Sequence, residues 1–392
     1  MKGTERTISI VTGTRAEFGL LSPVIESILA DKSLQLQLIV TGAHLCAEYG
    51  STVSEIESAG FPISLSLDIL EDSKNTPVYR ATAAALDGLA EFWSDNRPDI
   101  VVLLGDRYEA FAAAAAAAIC GIPIAHIGGG DVTEGAKDEF FRHCITKMST
   151  LHFPICARSR LRIIQLGENP KSVFCAGSLG SQNIERYGSI PAIELSERCG
   201  LDAERPFLLC TYHPETQGDG NPAQCVRELL FAIEDSGIPC LFTAANADDG
   251  GAAINAELES YCALHDNAVF VKNLGARLYI CALRLCSAVI GNSSSAVVEA
   301  PVLHKPAVNI GDRQSGREMG EGTICCVCSR KEILQAIETA LSPDFARRAL
   351  CATNPYSGGD VAGKIVSVIK QSLDSGICAK KSFYDMDFEV EV

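Results

Sequence analysis

Short apolar runs alternate with longer amphipathic stretches along most of the chain. "TISIVTG", "LQLQLIVTG", "FPISLSLD", "DIVVLLGD", "IPIAHI" and "LHFPI" read as strands. Between them, "LLSPVIESILAD", "EYGSTVSEIESAG", "VYRATAAALDGLAEFWSDN", the alanine run 110–120 and "AKDEFFRHCITKMS" read as helices. This alternation predicts a parallel α/β architecture. "SVFCAGS" is expected to complete the first sheet. A break follows near 188–205, where two prolines and mixed charge interrupt the pattern. A second series then begins: "FLLCTY", "PCLFTAA", "AVFVKNL", "SAVIGN", "PAVNIGD" and "TICCVC". The pattern therefore predicts two doubly wound domains of similar size. Ligands of such sheets bind at the carboxyl ends of the strands, and with two domains the expected site is a cleft between them.

Composition narrows the partners. The 392 residues suit two domains and carry a net charge of −16, which argues against a nucleic-acid surface. An anionic ligand then has to be held by a local site against the overall field. The apolar run "AFAAAAAAAIC" (110–120) is too short to span a membrane. "MKGTERT" runs directly into a strand without a cleavage pattern, so a cytoplasmic protein is expected. The seventeen cysteines are scattered through core-like segments and read as small buried hydrophobes. "CCVC" (325–328) has no companion pair, so no metal site is expected.

Polar residues cluster where the strands end. Gly291, Asn292, Ser293, Ser294 and Ser295, with Glu299 four residues on, follow "SAVI" and open what reads as a helix, "SSAVVEA". Serines there either cap the helix or, with its free N–H groups, hold a diphosphate. Glu299 is placed to accept from ribose hydroxyls. "TGTRAEFG" (12–19) offers Arg15 but no G-x-G-x-x-G fingerprint. "LLGDRYEA" (103–110) puts Asp106 and Arg107 just past a strand; Asp106 either caps the alanine helix or does chemistry, and Arg107 can pair with phosphate. "HIGGGDVTEGAKDEFFRH" (126–143) carries Asp131, Glu134 and Asp138. The spacings Glu134/Asp138, Asp138/Arg142 and Glu139/His143 also suit ion pairs on a solvated helix. "TYHPET" places His213 at a strand end, and "NIGDRQSGRE" adds Arg313 and Arg317.

In this order, "TGTRAEFG", "LLGDRYEA", "AHIGGGDVTEGAKDEFFRHCITKMSTLHF", "TYHPET" and "GNSSSAVVEAP…PAVNIGDRQSGR" resemble the UDP-N-acetylglucosamine 2-epimerase family, in particular its hydrolysing branch. The resemblance spans about residues 7–370. It implies a GT-B fold of two Rossmann-like domains, 1–188 and 189–355, with a helix at 356–376 crossing back to the first domain and a tail at 377–392. It further implies a hydrolysing epimerisation of UDP-GlcNAc or UDP-diacetylbacillosamine through a glycal, feeding sialic or legionaminic acid synthesis. Carried over by motif, Arg15, Ser294, Ser295, Glu299 and Arg313 hold UDP and Arg107 supports the sugar or phosphates, with Ser293 and Arg317 as further substrate-binding candidates. Asp106, Asp138 and His213 match catalytic positions. Many hydrolysing members have Glu where this chain has Gly128, so Asp131 or Glu134 would have to substitute. Cofactor and metal are expected to be none, and the assembly a homodimer. The competing readings are a non-hydrolysing 2-epimerase, a GT-B glycosyltransferase and a catalytically weakened UDP-sugar-binding protein.

Overall fold

The protein is described here by a computed structural model, in which residues 5–47, 51–70, 76–133, 138–215, 222–245 and 250–387 are described. The chain divides into two compact units. Unit 1 comprises 1–131, 138–182 and 358–392; unit 2 comprises 132–137 and 183–357.

Unit 1 begins with β1 (Arg6–Thr12), α1 (Arg15–Ala30), β2 (Leu34–Thr41), α2 (Val53–Ser58), β3 (Ile63–Leu67) and α3 (Val78–Asp95). It continues with β4 (Ile100–Leu104), α4 (Tyr108–Ile119), β5 (Ile124–Ile127), α5 (Asp138–Met148), β6 (Leu151–Phe153) and α6 (Ala157–Gln165). The chain passes into unit 2 within α7 (Leu179–Arg186). The sheet is parallel in the order β3-β2-β1-β4-β5-β6. Strand order reverses between β1 and β4, so their carboxyl ends diverge and leave room for a ligand.

Strands such as β4 are buried on both faces and read as unbroken apolar runs. Helix α4 packs through Ala110, Ala112, Ala113, Ala114, Ala116 and Ala117, all buried. Small side chains let its axis approach the sheet closely, while alanine's high helix propensity sustains the turn. "SVFCAGS" forms no strand. Only a single bridge links Val173 to His152, with Phe174 N donating to His152 O (2.9 Å).

Unit 2 comprises α8 (Ala192–Cys199), β7 (Leu208–Thr211), α9 (Pro222–Ser236), β8 (Cys240–Thr243), α10 (Gly251–Cys262), β9 (Ala268–Val271), α11 (Gly275–Leu285), β10 (Ala288–Gly291), β11 (Ala307–Ile310), β12 (Thr323–Cys326), α12 (Arg330–Ala340) and α13 (Pro343–Cys351). Its parallel sheet runs β12-β11-β10-β7-β8-β9, with the reversal between β7 and β10. "SSAVVEA" is not an α-helix but two short 3-10 turns, 294–296 and 300–303. Pro301 is the physical reason: it removes a backbone donor and disfavours helical geometry at Ala300. The final helix, α14 (Val361–Asp374), lies in unit 1, where Val361, Ala362, Ile365, Val366 and Ile369 join the core of β1, β2 and α1.

After α14 the chain stays on unit 1. Lys381 Nζ donates to Ser149 O (2.8 Å) and to Glu168 (2.7 Å), and Tyr384 N donates to Gly167 O (2.9 Å). Burial pushes the Glu168 carboxyl up, but hydrogen bonds from His152, Lys147 and Lys381 outweigh it and hold it at about 2. A carboxyl below its ordinary value stabilises the fold above the unfolded pKa and loses that contribution as pH falls through the folded one. Acid titrations of stability are therefore expected to show a loss between pH 4.5 and about 2 that is smaller in Glu168→Gln. Identical acid limbs in the two proteins would refute this role.

Candidate active site

In unit 1 the polar residues gather at the ends of β1, β4 and β5. The N-cap of α4 is Arg107 rather than Asp106, and Arg107 makes no side-chain cap bond. The Asp106 carboxylate is instead gripped by Arg142 of α5, with Arg142 Nε 2.8 Å from Oδ2 and a second, shorter bond from Nη2. Arg142 is 1% exposed. It also donates to Glu139 Oε2 (2.6 Å) and to the backbone oxygen of Asp131 (3.0 Å). Glu139 in turn accepts from His143 Nε2 at 2.9 Å, one helical turn away. The 139/143 spacing thus makes a hydrogen bond, one joined through Arg142 to Asp106 rather than only facing solvent.

The remaining unit 1 candidates are placed as follows. Asp138 is half-buried in the first turn of α5. Asp131 is buried, and its Oδ1 accepts from Ser159 Oγ on α6. Glu134 lies outside the described residues. Arg15 pairs with Glu55 at 3.0 Å. Arg107 pairs with Glu109, so the structure gives that arginine an internal carboxylate where the motif suggested phosphate. Gly128 has φ +81°, and a β-carbon there would meet nothing closer than Gly105 N at 3.9 Å. Space for a side chain exists, but the backbone conformation disfavours one.

His126 supports the loop that carries Asp106. Its Nε2 lies 2.7 Å from Gly105 O, so that nitrogen must be the donor, and Nδ1 accepts from Thr146 Oγ1 at 3.1 Å. Burial lowers its pKa to about 4, with the Gly105 contact opposing. The ring is therefore neutral near pH 7, which fits one donor and one acceptor nitrogen.

In unit 2 the reversal between β7 and β10 is tied by a reciprocal pair. His213 N donates to Asn292 Oδ1 (2.7 Å), and Asn292 Nδ2 donates to His213 O (2.8 Å). Gly291 has φ +130°, and a β-carbon there would fall 2.0 Å from Thr211 O. Only glycine lets the two strand ends come this close. Arg313 Nη1 (3.3 Å) and Gln314 Nε2 (2.8 Å) both donate to Asn292 O. This brings the "GDRQ" loop against the "GNSS" turn.

Ser293 caps the first short turn, its hydroxyl accepting from Ser295 N. Ser294 follows it, half-buried, and Ser295 is buried. Burial pushes the Glu299 carboxyl up, while Arg317 and Ser295 draw it back. Burial, then Arg313, lowers the His213 imidazole well below its ordinary pKa. A ring so shifted is neutral near pH 7 and can serve as a hydrogen-bonding group. The Ser293–Ser295 backbone, the hydroxyls and two guanidiniums form a set of donors suited to an anion.

The model of the UDP-N-acetylglucosamine 2-epimerase family matches residues 26–370. This chain belongs to that family. A GDP/UDP-N,N'-diacetylbacillosamine 2-epimerase (hydrolyzing) of Campylobacter jejuni is 35% identical over 98% of this chain and 100% of its own length. The polysialic acid biosynthesis protein P7 of Escherichia coli is 34% identical over 97% of this chain and 98% of its own. The chain is therefore an enzyme of the hydrolysing UDP-sugar 2-epimerase type. The crystal structure of a Neisseria meningitidis UDP-GlcNAc 2-epimerase bound to UDP-GlcNAc superposes with a TM-score of 0.79. It is 18% identical and covers 93% of this chain and 100% of its own, and it establishes the GT-B fold of two Rossmann-like units. Among the described residues of this epimerase, no helix is long and apolar enough to cross a membrane.

Sequence reasoning gave no site role to Arg142, Asn292, Glu17 or Glu109. For Glu17 a signal was present. Thr14 and Glu17 have the spacing of a capping box, and both of its bonds form. Asn292 also had one, standing between a strand's final glycine and a serine run. Arg142 and Glu109 have local partners in Glu139 and Arg107, but the bond to Asp106 and the contacts with Gly13 and Gly42 cross to other elements and left no local signal.

Proposed function

We propose that this epimerase converts UDP-N,N'-diacetylbacillosamine to UDP and the free 2-epimeric sugar. The observation that carries the substrate choice is the 35% identity, over the whole chain, to a relative named for that sugar. In the reaction the C2 proton is removed and the anomeric C–O bond to UDP breaks, leaving a glycal. Water then adds at C1, and a proton returns to the opposite face of C2. One water is consumed, and UDP and the free sugar are released.

Asp106 is assigned to the C2 proton, because its ion pair with Arg142 fixes a carboxylate just beyond β4. Asp138, on the first turn of α5, supplies the second carboxylate. In unit 2, Ser293, Ser294, Ser295, Arg313 and Arg317 are assigned to the diphosphate and Glu299 to the ribose hydroxyls. Neutral His213 serves as a hydrogen-bond partner of the leaving phosphate. Arginines and oriented donors stabilise a departing diphosphate by preorganised charge. Arg15 and Arg107 are the cations of unit 1 assigned to substrate oxygens. A homodimer is the expected assembly and the cytoplasm the expected location.

A second reading, UDP-GlcNAc as substrate, is favoured by the family's own description. A proton NMR time course in D₂O, with each sugar nucleotide in a separate tube, tests both. Release of UDP with a free manno-configured sugar deuterated at C2 is expected, faster with the diacetamido substrate. A faster UDP-GlcNAc tube would reverse the substrate choice. Retention of UDP on the epimerised sugar would overturn hydrolysis.

A further inference from the structure

Next to Asp106 stands a group of charges of which the reaction above uses only Arg107. Glu109, on the first turn of α4, is 2% exposed. Its two oxygens take Arg107 in a fork: Nε to Oε2 at 3.2 Å and Nη2 to Oε1 at 3.3 Å. The fold makes room for this carboxylate. At Gly13, past the end of β1, a β-carbon would sit 3.1 Å from Glu109 Cγ. At Gly42, past the end of β2 with φ +58°, one would sit 2.9 Å from Oε1. Glu17 closes the remaining side, its Oε2 accepting from Gly13 N (2.9 Å) and Thr14 N (3.0 Å). Burial first, and Glu109 second, push the Glu17 carboxyl up to about 7, with Arg107 opposing.

A carboxylate walled in this way is costly unless its cation stays in place. A free arginine side chain would lose much rotamer freedom on meeting an oxyanion, whereas one already forked to a carboxylate has lost it in folding. The Arg107 side chain nevertheless keeps 23% of its surface exposed, so a further oxygen can reach it.

We propose that Glu109 is a positioning residue of the epimerase. It holds the Arg107 guanidinium at the ends of β1 and β4, beside Asp106, so that the substrate oxygens assigned to Arg107 meet a cation already in place. The inference rests on the hydrolysing-epimerase reading given above.

The test is a double-mutant cycle in a UDP-release assay, using wild type, Glu109→Gln, Arg107→Ala and the double variant. Melting temperature and UDP affinity are measured alongside. Glu109→Gln is expected to lower kcat/KM about 10²-fold, mainly through kcat, because displacing a catalytic group by about 1 Å costs that much. UDP affinity is expected to stay within about twofold, and in the Arg107→Ala background the same substitution is expected to change little more. Should Glu109→Gln fail to fold, Glu109→Asp takes its place in the cycle. It keeps the charge, withdraws it from Arg107, and must show the same non-additivity. Equal losses in both backgrounds, or no loss in either, overturn the proposal while leaving the epimerase reading intact. Absence of turnover in wild type with any UDP-sugar overturns both.

Discussion

Asp106→Asn is expected to lower turnover roughly 10³-fold while leaving UDP affinity within about twofold of wild type, the scale at which positioned proton transfer contributes. The amide keeps the shape of the carboxylate and can still accept from Arg142, so the strand end should hold its geometry. What it loses is the ability to take a proton. UDP is assigned to residues of unit 2, which the substitution does not touch. Calorimetric titration with UDP and a single-turnover assay check the two halves separately. Equal loss of binding and turnover would sink the catalytic assignment, as would turnover within tenfold of wild type.

Arg142→Ala is expected to cost the fold about 3 kcal/mol, because it leaves two carboxylates facing each other without their cation. Asp106 and Glu139 retain 23% and 18% of their side-chain exposure, so water recovers part of the loss, which places the effect at the low end of the range for broken buried pairs. Arg142→Lys should rescue only part of it. A single ammonium cannot reproduce the fork that serves Asp106, Glu139 and the Asp131 backbone together. Urea denaturation of the three proteins checks the order. A difference below about 1 kcal/mol between wild type and alanine would mean that the pair is a solvated one.

The alternation of apolar and polar positions was enough to locate the strands. All twelve strands among the described residues fall on runs that it marks, and those buried on both faces, such as β4, are continuous apolar stretches. It failed where local polarity and packing conflict. "SVFCAGS" has the β-branched and aromatic content of a strand, yet beyond β6 it pairs only once with His152. "SSAVVEA" has a capping serine, but Pro301 breaks the helix into turns. The candidate side chains were named from strand ends and motifs, whereas their partners depend on which strands are neighbours. Asp106 meets Arg142 across 36 residues because β5 lies beside β4 and leads into α5. Glu109 meets Gly13 because β1 lies on the other side of β4. Neither adjacency is written in local sequence.

Unit 1 is discontinuous: its sheet is encoded before residue 183, but α14, which supplies part of its core, comes after residue 357. A ribosome therefore finishes the whole of unit 2's strand series before unit 1 has its last helix. The N-terminal sheet must wait in the cell with the core cluster that α14 completes, which includes Ile8, Ile10, Leu36 and Leu38, still short of that helix. Any event that ends translation between 357 and 374 leaves a chain that carries all of unit 2 and lacks part of the core of unit 1. Unit 1 thus gains its last core helix only after all of unit 2 has been made.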